Sequence, residues 1–259
     1  MIDRRPILVT LALLASPLLA AGRTPDDLLG EADRIKGRSS QYETALELCV
    51  QIIEHEDATR DQKVEAYDIM LYAHRRRRKR AAAVQTMEEM RKTFPGAPEL
   101  QQKALFEQIT EFWHWNKPDE GLDRVETLIA LPPADDGALA DAWAWKARFL
   151  HRQRKYGEAF AAGSKVVDIV PEDDERISDI LGLVAESAWN QEKMPDCERV
   201  LRRLLEAEYR QHRSEWEVVN ARRRLGETLE RQERYADAHA QYVACEKGEQ
   251  NVEVAHDWC

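Results

Sequence analysis

The chain has 259 residues, 43% of them hydrophobic and 33% charged, with 11 glycines and a net charge of −10. That length fits one or two domains, and the acidity disfavours general binding to nucleic acid or to anionic membranes. Little glycine, no alternating apolar runs and no Asn-Gly turn leave an all-α chain as the expectation.

The first element is N-terminal. Arg4 and Arg5 precede an apolar run from Ile7 to Leu19, interrupted by Pro17, and Ala20-Ala21-Gly22 follows with small residues suited to cleavage. This pattern predicts a secretory signal peptide over 1–22. The run is shorter than the roughly 20 residues of a membrane span, though an uncleaved anchor is the other reading. No Cys lies near the cleavage region, which argues against a lipid anchor. An exported chain, periplasmic or extracellular, is expected. Loss of Asp3, Arg4 and Arg5 would take the charge from −10 to −11.

After the leader a small residue recurs every 38 positions, at Ala45, Ala83, Gly121, Ala159 and Cys197, and once more at Ala238 after a step of 41. Pro95, Pro133 and Pro171 each follow their small residue by 12. A fixed period of this size predicts stacked helical hairpins, because one hairpin cannot bury its apolar face alone. The first hairpin, 26–59, is degenerate. It has Ala45, Cys49 and Ile52 in its second helix but Asp33 where a small residue is expected.

Five clearer copies cover 64–252, and 253–259 is a tail. The second copy offers Tyr67, Met70, Leu71, Ala83, Met87, Met90 and Pro95. The third offers Leu105, Ile109, Phe112, Gly121, Val125, Leu128 and Pro133. The fourth reads Trp143, Ala147, Leu150, Tyr156, Ala159, Val166, Pro171, and the fifth Leu181, Val184, Ala185, Ala188, Cys197, Leu201, Leu204. The sixth reads Leu225-Gly226, Leu229, Tyr235, Ala238, Tyr242, Cys245. A turn recurs inside the pairs, at Ser40-Gln41-Tyr42, Asn116-Lys117-Pro118, Arg154-Lys155-Tyr156, Lys193-Met194-Pro195 and Glu233-Arg234-Tyr235. Pro118 and Pro195 suit a first helical turn.

This arrangement of Leu-Gly, Tyr, Ala, aromatic and closing Pro resembles the tetratricopeptide repeat, over roughly residues 26–252. The resemblance implies a right-handed α-solenoid. The family unit has 34 residues, so four are extra in each copy here. They fall after the closing prolines and predict either longer connections or one added turn on each first helix. Acidic residues there suit a helix N-terminus.

In that family the first helices line a concave groove that binds partners. Carried over by position, one groove column is Arg75, Trp113, His151 and Trp189. A second is Tyr72, Thr110, Arg148 and Glu186, and a third holds Asp68, Phe106, Ala144 and Gly182, with Arg223 in the last copy. Aromatic and cationic side chains with acidic neighbours suit a peptide or protein partner. Trp113 and Trp189 serve either as groove or as caps on the hairpin core. Phe106, Thr110 and Glu186 stand where a carboxylate clamp needs Lys, Asn and Arg, so that function is not supported.

Cys49, Cys197 and Cys245 fall at core-facing positions, where hairpins advancing by roughly 10 Å each keep Cys49 and Cys197 far apart. A disulfide needs Cα atoms within about 7 Å, which leaves Cys245 with Cys259 as the pair open to bridging. The run Arg75 to Arg80 reads as a solvated helix end, or as a contact for an envelope polymer or lipid headgroup. His114 between Trp113 and Trp115, and His256 near Trp258, give one histidine per cluster, below the ligand count of a metal site. No nucleophile, phosphate-loop or metal-protease motif is present, and no cofactor is implied. The expectation is a noncatalytic exported scaffold for a protein or peptide. The alternatives are a polymer or headgroup binder through Arg75–Arg80 and an accessory subunit of an envelope enzyme. Exposed ends would support self-association.

Overall fold

The computed structural model describes residues 23–132, 135–171, 174–206 and 214–249. The leader expected at 1–22 and the tail with His256, Trp258 and Cys259 lie outside the described residues, and so does the Cys245–Cys259 question. The chain divides into two compact units, Met1–Met90 and Arg91–Cys259.

The first unit begins with α1 (Pro25–Ile35), a 3-10 turn (Ser39–Gln41), α2 (Tyr42–Glu54) and α3 (Arg60–Arg76). Thr24 and Asp27 close a reciprocal cap on α1, and Thr59 and Gln62 do the same on α3. Each such pair satisfies two backbone donors that the first turn leaves open. Leu28, Ala32, Ile35, Leu48, Cys49, Ile52 and Ile69 form the core among these helices. Asp33, expected at a small-residue position, faces solvent. Ala32 beside it is fully buried, so the register of this hairpin is shifted by one residue. Next comes α4 (Arg80–Thr93), with Ala83, Met87 and Met90 fully buried.

The second unit contains α5 (Pro98–Trp115), α6 (Pro118–Ala130), α7 (Asp136–Arg152) and α8 (Tyr156–Ile169). It continues with α9 (Glu175–Asn190), α10 (Met194–Leu204), α11 (Glu215–Glu230) and α12 (Tyr235–Glu249). Each helix packs against its neighbour in sequence through α5 to α10, as do α10 with α11 and α11 with α12. One core runs through α7 to α12, built on Leu150, Val166, Ile177, Leu181, Leu201 and Leu225.

The turn expected inside the hairpins is a shared one, and only its conformation was hidden in the sequence pattern. Arg78, Asn116, Arg154, Glu192 and Glu233 all have φ between 55° and 62°. Their spacing repeats the intervals of 38 and, at the end, 41. In each, the amide one residue further on donates back to a carbonyl five residues earlier: Lys117 to Phe112 at 3.0 Å, Lys155 to Leu150 at 2.9 Å, Lys193 to Ala188 at 3.0 Å and Arg234 to Leu229 at 2.9 Å. Lys79 to His74, at 2.9 Å, belongs to the same series. This left-handed C-terminal closure satisfies carbonyls that the last helical turn leaves open. The donor is Lys or Arg every time, which places a cation beside the negative end of the helix dipole. The carbonyl of that cation then accepts the first bond of the next helix, from Ala83, Gly121, Ala159, Cys197 and Ala238 at 2.9–3.1 Å. The first hairpin departs from the pattern, since Ser39–Gln41 forms a 3-10 turn there.

The small residues have a second task. A Cβ built on Gly121 of α6 would lie 2.3 Å from the Phe149 ring of α7, so this glycine is a socket for the following hairpin. The same register brings Thr228 Oγ1 of α11 to 3.5 Å from Cys197 Sγ of α10. Within the last hairpin, Gly226 receives the Tyr242 ring, 2.4 Å from where its Cβ would stand. Close approach between hairpins, and not only within one, therefore sets the period.

First helices α3, α5, α7, α9 and α11 have 17, 18, 17, 16 and 16 residues, whereas the second helices α4, α6, α8, α10 and α12 have 14, 13, 14, 11 and 15. Of the two expectations for the extra residues, a longer first helix is the one realised. Acidic caps open two of them, α7 and α9: Asp135 accepts from the Ala138 amide at 2.7 Å and Asp174 from the Arg176 amide at 2.9 Å, whereas α3 and α11 start on Thr59 and Ser214 and α5 on Ala97. Cys49 and Cys197 are buried apolar fillers, and burial pushes the Cys49 thiol up to about 12.

A candidate partner-binding face on the first helices

Trp113 stands in the last turn of α5, half-buried. Its ring meets Trp145 edge-on at 5.6 Å and Phe149 at 5.4 Å, both on α7. The Arg152 guanidinium lies 3.3 Å from the Trp113 ring centroid, and its Nη1 donates to the Trp113 carbonyl at 2.8 Å. Trp189, in the last turn of α9, repeats this arrangement with α11. Its ring lies between Arg224 at 4.7 Å and Arg231 at 4.5 Å. Arg231 occupies the repeat position of Arg152, and Arg224 that of Trp145. Both tryptophans therefore bridge consecutive first helices while keeping part of each ring open to solvent. They are groove wall and packing at once.

His151 holds the intermediate position on α7. Its ring packs edge-on against Tyr156 at 5.3 Å. Its Nε2 points to Glu186 Oε2 of α9 at 3.6 Å, an ion-pair distance too long for a hydrogen bond, and this nitrogen has no hydrogen-bond partner. Arg148, one turn earlier on α7, lies 5.3 Å from the Trp145 ring. Glu186 is exposed. Phe106 is half-buried on α5, about two turns before Trp113. Arg223 is exposed on α11 and paired with Glu227. Lys146, also on α7, pairs with Glu126 of α6 at 2.6 Å. The outcome is a row of aromatic rings and guanidinium planes across α5, α7, α9 and α11. Sequence reasoning missed Trp145, Phe149, Arg152, Arg224 and Arg231. Their signal was available, because Arg152 and Arg231 each follow their tryptophan by one residue more than the local repeat step.

Tyr72 and Arg75 belong to the first unit. Tyr72 is 42% exposed on α3, with Lys36 Nζ 5.4 Å from its ring, and Arg75 is exposed in the last turn of α3. The sequence cluster around His114 separates on folding. Trp113 turns into the packing and His114 into solvent, while Trp115 stacks near Phe112 and under Lys117 at 4.1 Å. Among the described residues no group of three His, Cys, Asp or Glu side chains converges, and no helix is long and apolar enough to cross a membrane.

The second helices carry a different surface. A groove of about 710 Å³ runs between α8 and α10 over Leu181 and Val184 of α9, walled by Phe160, Val167 and Val200. Glu198 of α10 stands at its edge, held by Arg202 at 2.8 Å, Gln232 at 3.0 Å and Arg234 at 2.8 Å. Desolvation pushes the Glu198 carboxyl up, but these three donors outweigh it and hold the group below its ordinary value.

Neither a family model nor a curated protein sequence matches the chain. Solved structures do. BtubC (BKLC) from P. vanneervenii superposes with a TM-score of 0.64 at 12% identity, over 92% of this chain and 95% of that one. MamA from Desulfovibrio magneticus RS-1, from its residue 41 to the end, gives 0.56 at 14% identity over 72% and 95%. PilW, a type IV pilus biogenesis factor, gives 0.52 at 12% identity over 88% and 95%. At such identities the likeness speaks for architecture alone, and with the repeated hairpins it establishes the fold as an all-α solenoid of tetratricopeptide-like repeats.

Proposed function

We propose that the chain is a noncatalytic exported scaffold that holds a peptide or protein segment on the first-helix face of its second unit. One observation carries the reading: half-exposed tryptophans clamped by guanidinium groups across successive first helices. A guanidinium held over an indole, as that of Arg152 is over Trp113, has donors left beyond the one given to the Trp113 carbonyl, and these suit carboxylates and backbone carbonyls of a bound segment. The exposed indole edges add apolar area at little entropic cost. Because the clamps are already made in the free chain, little ordering remains to oppose binding. Phe106, Trp113, Arg148, His151, Glu186, Trp189 and Arg223 are the contact residues in this reading. Export rests on the apolar leader in the sequence.

Site-specific photo-crosslinking in the native cell tests it. A photoreactive residue is placed at Arg148, Glu186 or Arg223 on the first helices, or at Lys165 or Arg199 on the second helices. Adducts to one protein from the first set and not the second support the proposal. Adducts from Lys165 and Arg199 alone would move the function to the α8–α10 groove, and no adduct from any position would end the scaffold reading.

A further inference from the structure

The cationic run Arg75–Arg80 takes no part in that face, and folding divides its residues. Arg75 and Arg76 close α3, where cations offset the partial negative charge of the helix end. Arg78 and Lys79 form the left-handed turn, and Arg80 opens α4. Arg77 folds back: its Nη2 donates to the Ser39 carbonyl at 2.9 Å and its guanidinium lies 5.3 Å from the Tyr42 ring. Lys79 Nζ lies 4.1 Å from the same ring and 3.6 Å from Glu43.

The loop between α1 and α2 meets this end of α3 with more positive charge. Lys36 and Arg38 from the loop, with Ser39 and Tyr42, join Arg76 and Arg77 around a cavity of about 50 Å³. The two carboxylates at hand are already engaged, Asp33 with Lys36 and Glu43 with Lys79. Arg38 reaches Gln41 Oε1 at 3.4 Å, and among the described residues no carboxylate pairs with Arg38, Arg76 or Arg77. The helix dipoles of α1 and α3 end here, but each supplies roughly half an elementary charge of compensation, which leaves the pocket positive. His74 lies buried behind it, its Nδ1 2.6 Å from the Tyr42 hydroxyl. Burial first and Lys79 second push this imidazole down to about 4, so it adds no charge near neutral pH.

Arg38, Arg76 and Arg77 are exposed, as the cations of a solvated helix end are, but they are not spread apart. Here two segments about 40 residues apart in sequence bring theirs together around one void in an otherwise acidic chain. We propose that this pocket binds a phosphate group, taken between the guanidinium groups of Arg38, Arg76 and Arg77. Guanidinium forks match phosphate oxygens in pairs, and a pocket of about 50 Å³, open to solvent and roomy enough for more than one water, admits one small oxyanion while its ester chain stays outside.

The test titrates the full chain with inorganic phosphate by calorimetry and sediments it with vesicles of phosphatidylglycerol or of phosphatidylcholine, all at matched ionic strength. The variants are Arg38→Gln/Arg76→Gln, both exposed, and Lys165→Gln/Arg199→Gln as a charge-matched control. Phosphate binding that falls at least about tenfold in the first variant and holds in the second supports the site, that being the loss of about 1.4 kcal/mol or more. If phosphatidylglycerol vesicles bind with the same dependence and phosphatidylcholine vesicles do not, the phosphate belongs to a lipid headgroup. If inorganic phosphate binds and neither vesicle does, it belongs to a soluble ligand. No binding by the native chain to any probe, or equal losses in the two variants, overturns the proposal.

Discussion

At Arg154 the chain turns with φ of 61°. That conformation costs an ordinary L-residue about 1–2 kcal/mol, and glycine adopts it freely. Arg154 is exposed, so Arg154→Gly removes no packing. The expected effect is a gain of about 0.5–1 kcal/mol after the entropy that glycine adds to the unfolded chain, read as a raised midpoint in thermal or urea unfolding. Gly121 makes the opposite case. A methyl group there meets the Phe149 ring, and overpacking of this kind costs about 1–3 kcal/mol. Gly121→Ala should lower the unfolding midpoint, and Phe149→Leu in the same chain should restore part of it. His74 gives a pH signature. Its folded pKa of about 4 lies below the ordinary 6.5, so the unfolded chain binds the proton more readily. Stability should fall as pH drops from 6.5 towards 4, and His74→Gln should flatten that segment of the curve. The recurring small residues were plain in the sequence. The left-handed turns were not, because Arg, Asn and Glu occupy positions where glycine would have announced them.

Between elements, two devices set how one hairpin meets the next. One is the tryptophan clamp on the first helices. Trp113 touches Trp145, Phe149 and Arg152 of the following hairpin, so its loss opens a gap between α5 and α7. Large-to-small changes at such positions cost about 3–5 kcal/mol when the site is fully buried, and Trp113 is only half so. Arg152→Ala keeps the indole and removes its lid. It should cost about 1–2 kcal/mol in stability, the scale of a cation–π contact plus the hydrogen bond to the Trp113 carbonyl, yet weaken partner binding measured by titration. The other device is Glu198, which ties α10 to Arg234 at the start of α12. Its carboxyl is held below the ordinary 4.5, so the tie stabilises the fold above that pH and is lost as pH falls through the folded value. Glu198→Gln should lower the midpoint at pH 7 and reduce the acid-induced part of the decline. The hairpin order and first-helix positions were legible from the 38-residue register. The clamps were not, because each combines residues from neighbouring copies. The shifted first hairpin escaped for a similar reason, since Ala32 and Asp33 differ by one position and only packing decides which is buried.

For the whole molecule, the repeat explains how a face is built along a row of helices. Each hairpin contributes one first helix, and the same register positions return along the row, so ring and cation line up by repetition. The run Arg75–Arg80, which in the sequence reads as a solvated helix end or a polymer or headgroup contact, is partly the repeat's own turn: Arg78, Lys79 and Arg80 match Asn116, Lys117 and Pro118. What remained after that subtraction, Arg76 and Arg77 meeting Lys36 and Arg38, became visible only once the loop had folded against α3. The partner face is the central claim, and amide hydrogen exchange tests it most directly. The full chain would be compared with and without the segment that photo-crosslinking identifies. Protection concentrated in α5, α7, α9 and α11, and lost in Arg148→Glu/Arg223→Glu, is the predicted result. Protection confined to α8 and α10 would contradict it, because the segment would then lie in the groove on the second helices.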